Sequence, residues 1–225
     1  MAVDQWQPGS SAELSLFGCP GELRAQLERF LFDVDEWVSL PALARELKLS
    51  SAIDWAPLMT RSAVRKTVAA QFPSRRLSPA LLTGELRGRL ALLPRAEWLR
   101  LGLALALLPY CGGIRHSMDG HFRRAVRQAF DDATINALDQ HDTVEERPVF
   151  TGGPGAWRNP QVVALGGVWS AVEQACGWPD VVKNRFYLQF EPNERSAPPS
   201  VNGVNGFWLE VACKTIFPNP HWLWS

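Results

Sequence analysis

The stretch SPALLTGELRGRLALLPRAEWLRLGLALALLPYCGG, Ser78 to Gly113, constrains the fold more than any other part of the chain. Its apolar residues recur at helical spacing, and its prolines cut the pattern into pieces. Ser78 stands as an N-cap, with Pro79 at the first helical position. A second helix begins again at Pro94 and stops before Pro109. Its run from Leu99 to Leu108, charged only at Arg100, is the most hydrophobic stretch of the chain and marks a helix buried in protein. A membrane span needs roughly 20 apolar residues, and this run is too short.

The rest of the chain repeats the theme. Leu23, Leu27, Phe30 and Leu31 share a helical face in PGELRAQLERFLFD, and Ser39 is placed to cap SLPALARELKL. TRSAVRKTVAAQF reads as a short amphipathic segment. GGIRHSMDGHFRRAVRQAFDDATINALDQ reads as one long amphipathic helix. Asn159 and Pro160 open another over QVVALGGVWSAVEQACG, whose glycine pair suits close helix packing. VNGFWLEVACKTIF makes a last helix. Between these, KNRFYLQFEP alternates Phe186, Leu188 and Phe190, which fits a short strand. Residues 142–160 and 191–203 are rich in Gly and Pro and read as long loops; residues 218–225 form an aromatic tail. The expectation is a mainly α fold: a single compact multi-helix domain over 1–225, with at most a short strand pair near the C-terminal third.

Charge narrows the function classes. The formal net charge is zero, but residues 1–60 carry −5, residues 61–127 carry +10 and residues 128–225 carry −5. The basic centre either pairs with its acidic flanks or meets an acidic partner. Ten tryptophans are far more than average; many belong to the core, and several are candidate contact anchors. The first residues have neither the basic start nor the apolar run of a signal peptide. Cys19, Cys111, Cys176 and Cys213 are scattered and form no CxxC pair, so reduced thiols are expected.

LLPYCGGIRHSMDGH, Leu107 to His121, holds the densest set of reactive side chains: Cys111, His116, Asp119 and His121. On a helix drawn from Ile114, the residues Ile114, Met118, Phe122, Ala125 and Ala129 form one apolar stripe. His116 and His121 then point about 140° apart, whereas zinc ligands on one helix sit at i and i+4. Cys111 lies among Leu108 and Tyr110 with nothing to activate it, and Pro109 with the glycine pair stops a helix. The stretch reads as a bend with a buried, unligated Cys111, and no metal or cofactor is expected.

The polar arc of the following helix is more informative. His116, Arg123, Arg124 and Arg127 lie on it with no acid among them. Three arginines together suit carboxylates, because the planar guanidinium can hold both carboxylate oxygens. The competing reading is a solvated face. TGGPGAW lacks the Lys-Ser/Thr of a phosphate loop, and the chain has no GxSxG and no HExxH. Asp131–Asp132 and Glu145–Glu146 read as solvated acids.

The order of the later blocks resembles the SctK/YscK/PscK family of bacterial type III secretion systems, Hrp-type branch. EWLRLGLALALLPYCGGIRHSMDGHFRRAV resembles that family's central block. GGVWSAVEQACGWPDVVKNRFYLQFEP resembles its later block, and FWLEVACKTIF its closing helix; together they span roughly residues 85–217. The resemblance implies a non-enzymatic cytoplasmic accessory protein of the sorting platform, peripheral to the inner membrane. Its partners would be the pod protein SctQ and the cytoplasmic domain of the ring protein SctD. The family supplies no catalytic residues. His116, Arg123, Arg124 and Arg127, with Trp222 and Trp224 in the tail, are the candidate partner-binding residues. Two rival readings stand beside this one. A nucleic-acid binder would use the basic 61–127 segment, although net charge is zero. An enzyme would use a thiol or metal site at Cys111, His116 and His121.

Overall fold

The structure, a computed structural model, describes residues 21–32, 38–50, 53–61, 63–64, 67, 79–116, 119–140, 146–195 and 199–224. Ser78, Met118, Cys19 and most of TRSAVRKTVAAQF lie outside the described residues. The chain is mainly α, with a single two-stranded antiparallel sheet among the described residues. The helices are α1 (Gly21–Phe32), α2 (Leu40–Glu46), α3 (Ala56–Met59), α4 (Pro79–Thr83), α5 (Leu86–Leu90) and α6 (Arg95–Leu107). Then come α7 (Gly120–Ala129), α8 (Asp132–Asp139), β1 (Val149–Phe150) and α9 (Pro160–Ala171). The rest are α10 (Asp180–Tyr187), β2 (Val201–Asn202), α11 (Gly206–Ile216) and α12 (His221–Trp224). These elements group into two compact units.

The first unit comprises residues 1–93, 178–191 and 220–225. The face predicted for α1 is its buried one: Leu23, Leu27, Phe30 and Leu31 are all inside. The run from Pro79 is two helices rather than one, broken at Gly84 and Glu85. Arg89 bridges the break, its Nε donating to the Thr83 carbonyl at 2.9 Å. The strand expected over KNRFYLQFEP is instead α10 followed by a turn. Phe186 and Phe190, four apart, are both fully buried with ring centroids 5.2 Å apart, a helical spacing that alternation over three residues also satisfies. Trp178 packs edge-on against Phe186 and donates its indole N–H to the Arg87 carbonyl at 2.7 Å. Arg185 is buried as well; its Nε donates to the Phe30 carbonyl at 2.9 Å, and burial pulls its pKa down to about 10.

The second unit comprises residues 94–177 and 192–219. Its centre is the pairing of α6 with α9. Leu101 to Leu108 are buried without exception, as the all-round apolar pattern requires. The two helices touch through glycine. A Cβ on Gly102 would stand 2.1 Å from the Ala164 carbonyl oxygen, and one on Gly167 would stand 2.0 Å from that of Gly102. Only residues without a side chain allow this approach. Asn159 caps α9 and Asn205 caps α11, each side chain accepting from the backbone N–H three residues on. The loop segments around 149 and 201 are tied together as β1 and β2, with Thr151 N–H donating to the Ser200 carbonyl at 2.9 Å.

Candidate functional site

The corner between α6 and α7 is a bend built from backbone. Leu108–Tyr110 tightens into a 3₁₀ turn, and Gly112 takes φ +83°, a conformation glycine adopts freely. The Gly112 N–H donates to the Asp139 carbonyl at 2.8 Å, and the Asp139 carboxylate accepts from the Ile114 N–H at 2.8 Å. Cys111 is buried, its thiol donating to the Leu138 carbonyl at 2.9 Å. The Arg147 guanidinium holds the Cys111 carbonyl at 2.6 Å. Burial pushes the Cys111 thiol up to about 11 and outweighs the lowering by Arg147. The thiolate is therefore scarce at neutral pH, and Cys111 acts as a packing residue. Among the described residues no group of three His, Cys, Asp or Glu is placed to hold a metal ion.

The long helix expected from Ile114 onward is three pieces. Ile114–His116 is a separate 3₁₀ turn. Asp119 then starts α7, its carboxylate accepting from the His121 and Phe122 backbone N–H groups at 2.8 and 3.2 Å. At the far end, Phe130 is extended and Asp131 caps α8 by accepting from Thr134 N–H at 2.8 Å. Asp131 is thus a helix cap and more than the solvated acid expected. The Thr134 hydrogen bonds hold its carboxyl below the ordinary carboxylate value.

These breaks sort the predicted residues. Phe122, Ala125 and Val126 form the inner face of α7. Phe122 lies against Trp157 and Tyr110, with ring centroids 4.6 and 5.1 Å away. That aromatic cluster fixes which side of α7 faces out, and Arg123, Arg124 and Arg127 are on it, exposed. Among the described residues none of the three makes an ion pair. His116 is exposed too, but it rides on the preceding turn and shares no helix with them.

Arg123 and Arg127 line a cavity of about 330 Å³ with Ile114, Arg115, Val126, Asp132 and Ile135. Arg124 and His116 are not among the lining residues. Arg115 and Asp132 enter the site unforeseen, because a continuous helix from Ile114 sets Arg115 more than two turns, about 12 Å along the axis, from Arg123. The visible signal was Asp119 followed by Gly120, a cap that restarts the helical phase.

The tail does not supply the exposed anchors expected of it. Trp222 is only 7% exposed, and Trp224 is half-buried. The α12 turn packs against α1 and α5, and Arg89 donates to the Leu223 carbonyl at 3.4 Å. Trp222 therefore serves the core of the first unit, since burying so large a side chain is worth more there than at a solvated surface. No family profile, no characterised protein and no solved structure matches this chain.

Proposed function

We propose that the chain is a non-enzymatic adaptor of a bacterial type III secretion system that docks acidic surfaces of the pod protein SctQ and the ring protein SctD. One observation carries the docking part: Arg123, Arg124 and Arg127 are exposed on a helix whose other face is locked into an aromatic cluster, and no described residue pairs with them. Guanidiniums left in this state suit encounter with carboxylates, where they set rate and specificity more than affinity. The naming of the partners rests on the resemblance of residues 85–217 to the SctK/YscK/PscK family. The role is cytoplasmic and peripheral to the inner membrane. Among the described residues no helix is long and apolar enough to cross a membrane, which agrees with a peripheral attachment.

Crosslinking in the native bacterium tests this reading. A photoreactive amino acid at Arg124, beside the cavity rather than in it, is expected to capture the pod or ring protein. The same probe at Ala137, exposed on α8, is the control and should capture neither. Equal yields at both positions, or no secretion component at either, overturn the assignment.

A further inference from the structure

We infer that the cavity beside α7 takes an acidic peptide segment in which one aliphatic side chain is flanked by carboxylates. The inference deepens the docking reading above and rests on it. The cavity has two chemistries. Ile114, Val126 and Ile135 form its aliphatic floor, each showing it only an edge, since they are 3%, 3% and 5% exposed. Arg115, Arg123 and Arg127 offer guanidiniums, against one carboxylate from Asp132. At about 330 Å³ the space has the size of a small-ligand pocket, so it admits one side chain with its neighbours.

Each chemistry excludes an occupant that the other would allow. A bare oxyanion would satisfy the arginines and leave the aliphatic floor against water. A strand of nucleic acid would satisfy them as well, but single strands bind through aromatic platforms, and no aromatic side chain is among the lining residues. A purely apolar segment would leave three guanidiniums with no carboxylate to balance their charge. A segment with one aliphatic residue between acidic neighbours answers both. Arg123 and Arg127 stand one helical turn apart on α7, spaced to hold carboxylates on either side of the inserted residue. Arg115 is steadied across the cavity, its Nη2 lying 3.5 Å from the backbone carbonyl of Asp132 at the start of α8.

Fluorescence anisotropy with the full chain tests the inference, using fluorescein-labelled Glu-Asp-Leu-Asp-Glu as the probe. Saturable binding is expected. It should weaken roughly tenfold or more when serine replaces the leucine, and equally when Arg123→Gln and Arg127→Gln are combined. Both arginines are exposed, so the double variant should melt as the parent does. Lys-Lys-Leu-Lys-Lys should not bind, and inorganic phosphate or a decathymidine strand should not displace the probe at matched ionic strength. Absence of saturable binding, equal affinity of the serine peptide, indifference to the arginine pair, or displacement by decathymidine would each overturn it. The adaptor reading fails separately. Crosslinks to the pod or ring protein with no peptide binding sink the peptide inference alone, and peptide binding without those crosslinks sinks the choice of partners.

Discussion

Helices α6 and α7 follow one another in the chain, joined by the Cys111 corner, and they have opposite surroundings. From Leu101 onward α6 is buried on every face, and it approaches α9 so closely that glycine is required at the contact. Only one side of α7 is buried, and the other carries three arginines that no described residue neutralises. A helix apolar all round can only be core, so its sequence speaks to stability. A helix with one apolar stripe has a free face, and whatever that face carries is available for recognition. Function in this chain should therefore separate from stability along the line between α6 and α7.

The largest effect is expected at the α6–α9 crossing. Gly167→Val should cost about 3 kcal/mol or more, because its Cβ would meet backbone that cannot rotate away. Urea unfolding measures it, and a variant as stable as the parent would show that the crossing is not the tight centre described.

The corner offers the next test. The Cys111 thiol is raised from 9.0 to about 11 by burial, so between those values the unfolded chain has lost a proton that the folded chain keeps. Its stabilising effect is complete below pH 9.0 and is lost as pH rises towards 11. Unfolding midpoints from neutral pH upward should fall more steeply for the parent than for Cys111→Ala. Parallel curves would refute the buried, protonated thiol.

Asp119→Ala should cost about 1 kcal/mol, since it removes the acceptor for the first free N–H groups of α7. Helical fluctuation near Gly120, read by amide exchange, should rise with it. Asp131 acts at the start of α8 in the opposite pH sense to Cys111. Its pKa is lowered, so its contribution is present above the ordinary value of 3.8 and disappears as pH falls through the depressed one. Acid titration of Asp131→Asn against the parent would expose it.

How far these elements were legible follows from how local their signals are. Helices α1, α6, α9 and α11 announce themselves, because their caps and apolar faces lie within the segment: Asn159 before Pro160, Asn205 before Gly206, and Leu23, Leu27 and Phe30 along α1. The corner was legible for the same reason. The phase of α7 was lost where Asp119 restarts the helix, and with it the placement of Arg115 beside Arg123 and Arg127. Phe186 and Phe190 fit a strand and a helical turn equally well, and packing against Trp178 decided for the helix. Trp222 was misjudged because what buries it, α1 and α5, lies more than a hundred residues earlier. The pairing of β1 with β2 is likewise a contact across two loops that no local pattern encodes.

The smallest expected effect on stability carries the largest expected effect on function. Arg123→Glu with Arg127→Glu should shift the unfolding free energy by no more than about 0.5 kcal/mol, as exposed substitutions do. The most direct measurement is capture of the purified pod and ring proteins by this double variant across a salt series, with its thermal melt recorded alongside. Parent-like melting is expected, with capture by the parent that weakens as salt rises and little capture by the variant even at low salt. A variant that melts like the parent and still captures both proteins at low salt would contradict it, and α7 would carry a solvated face only.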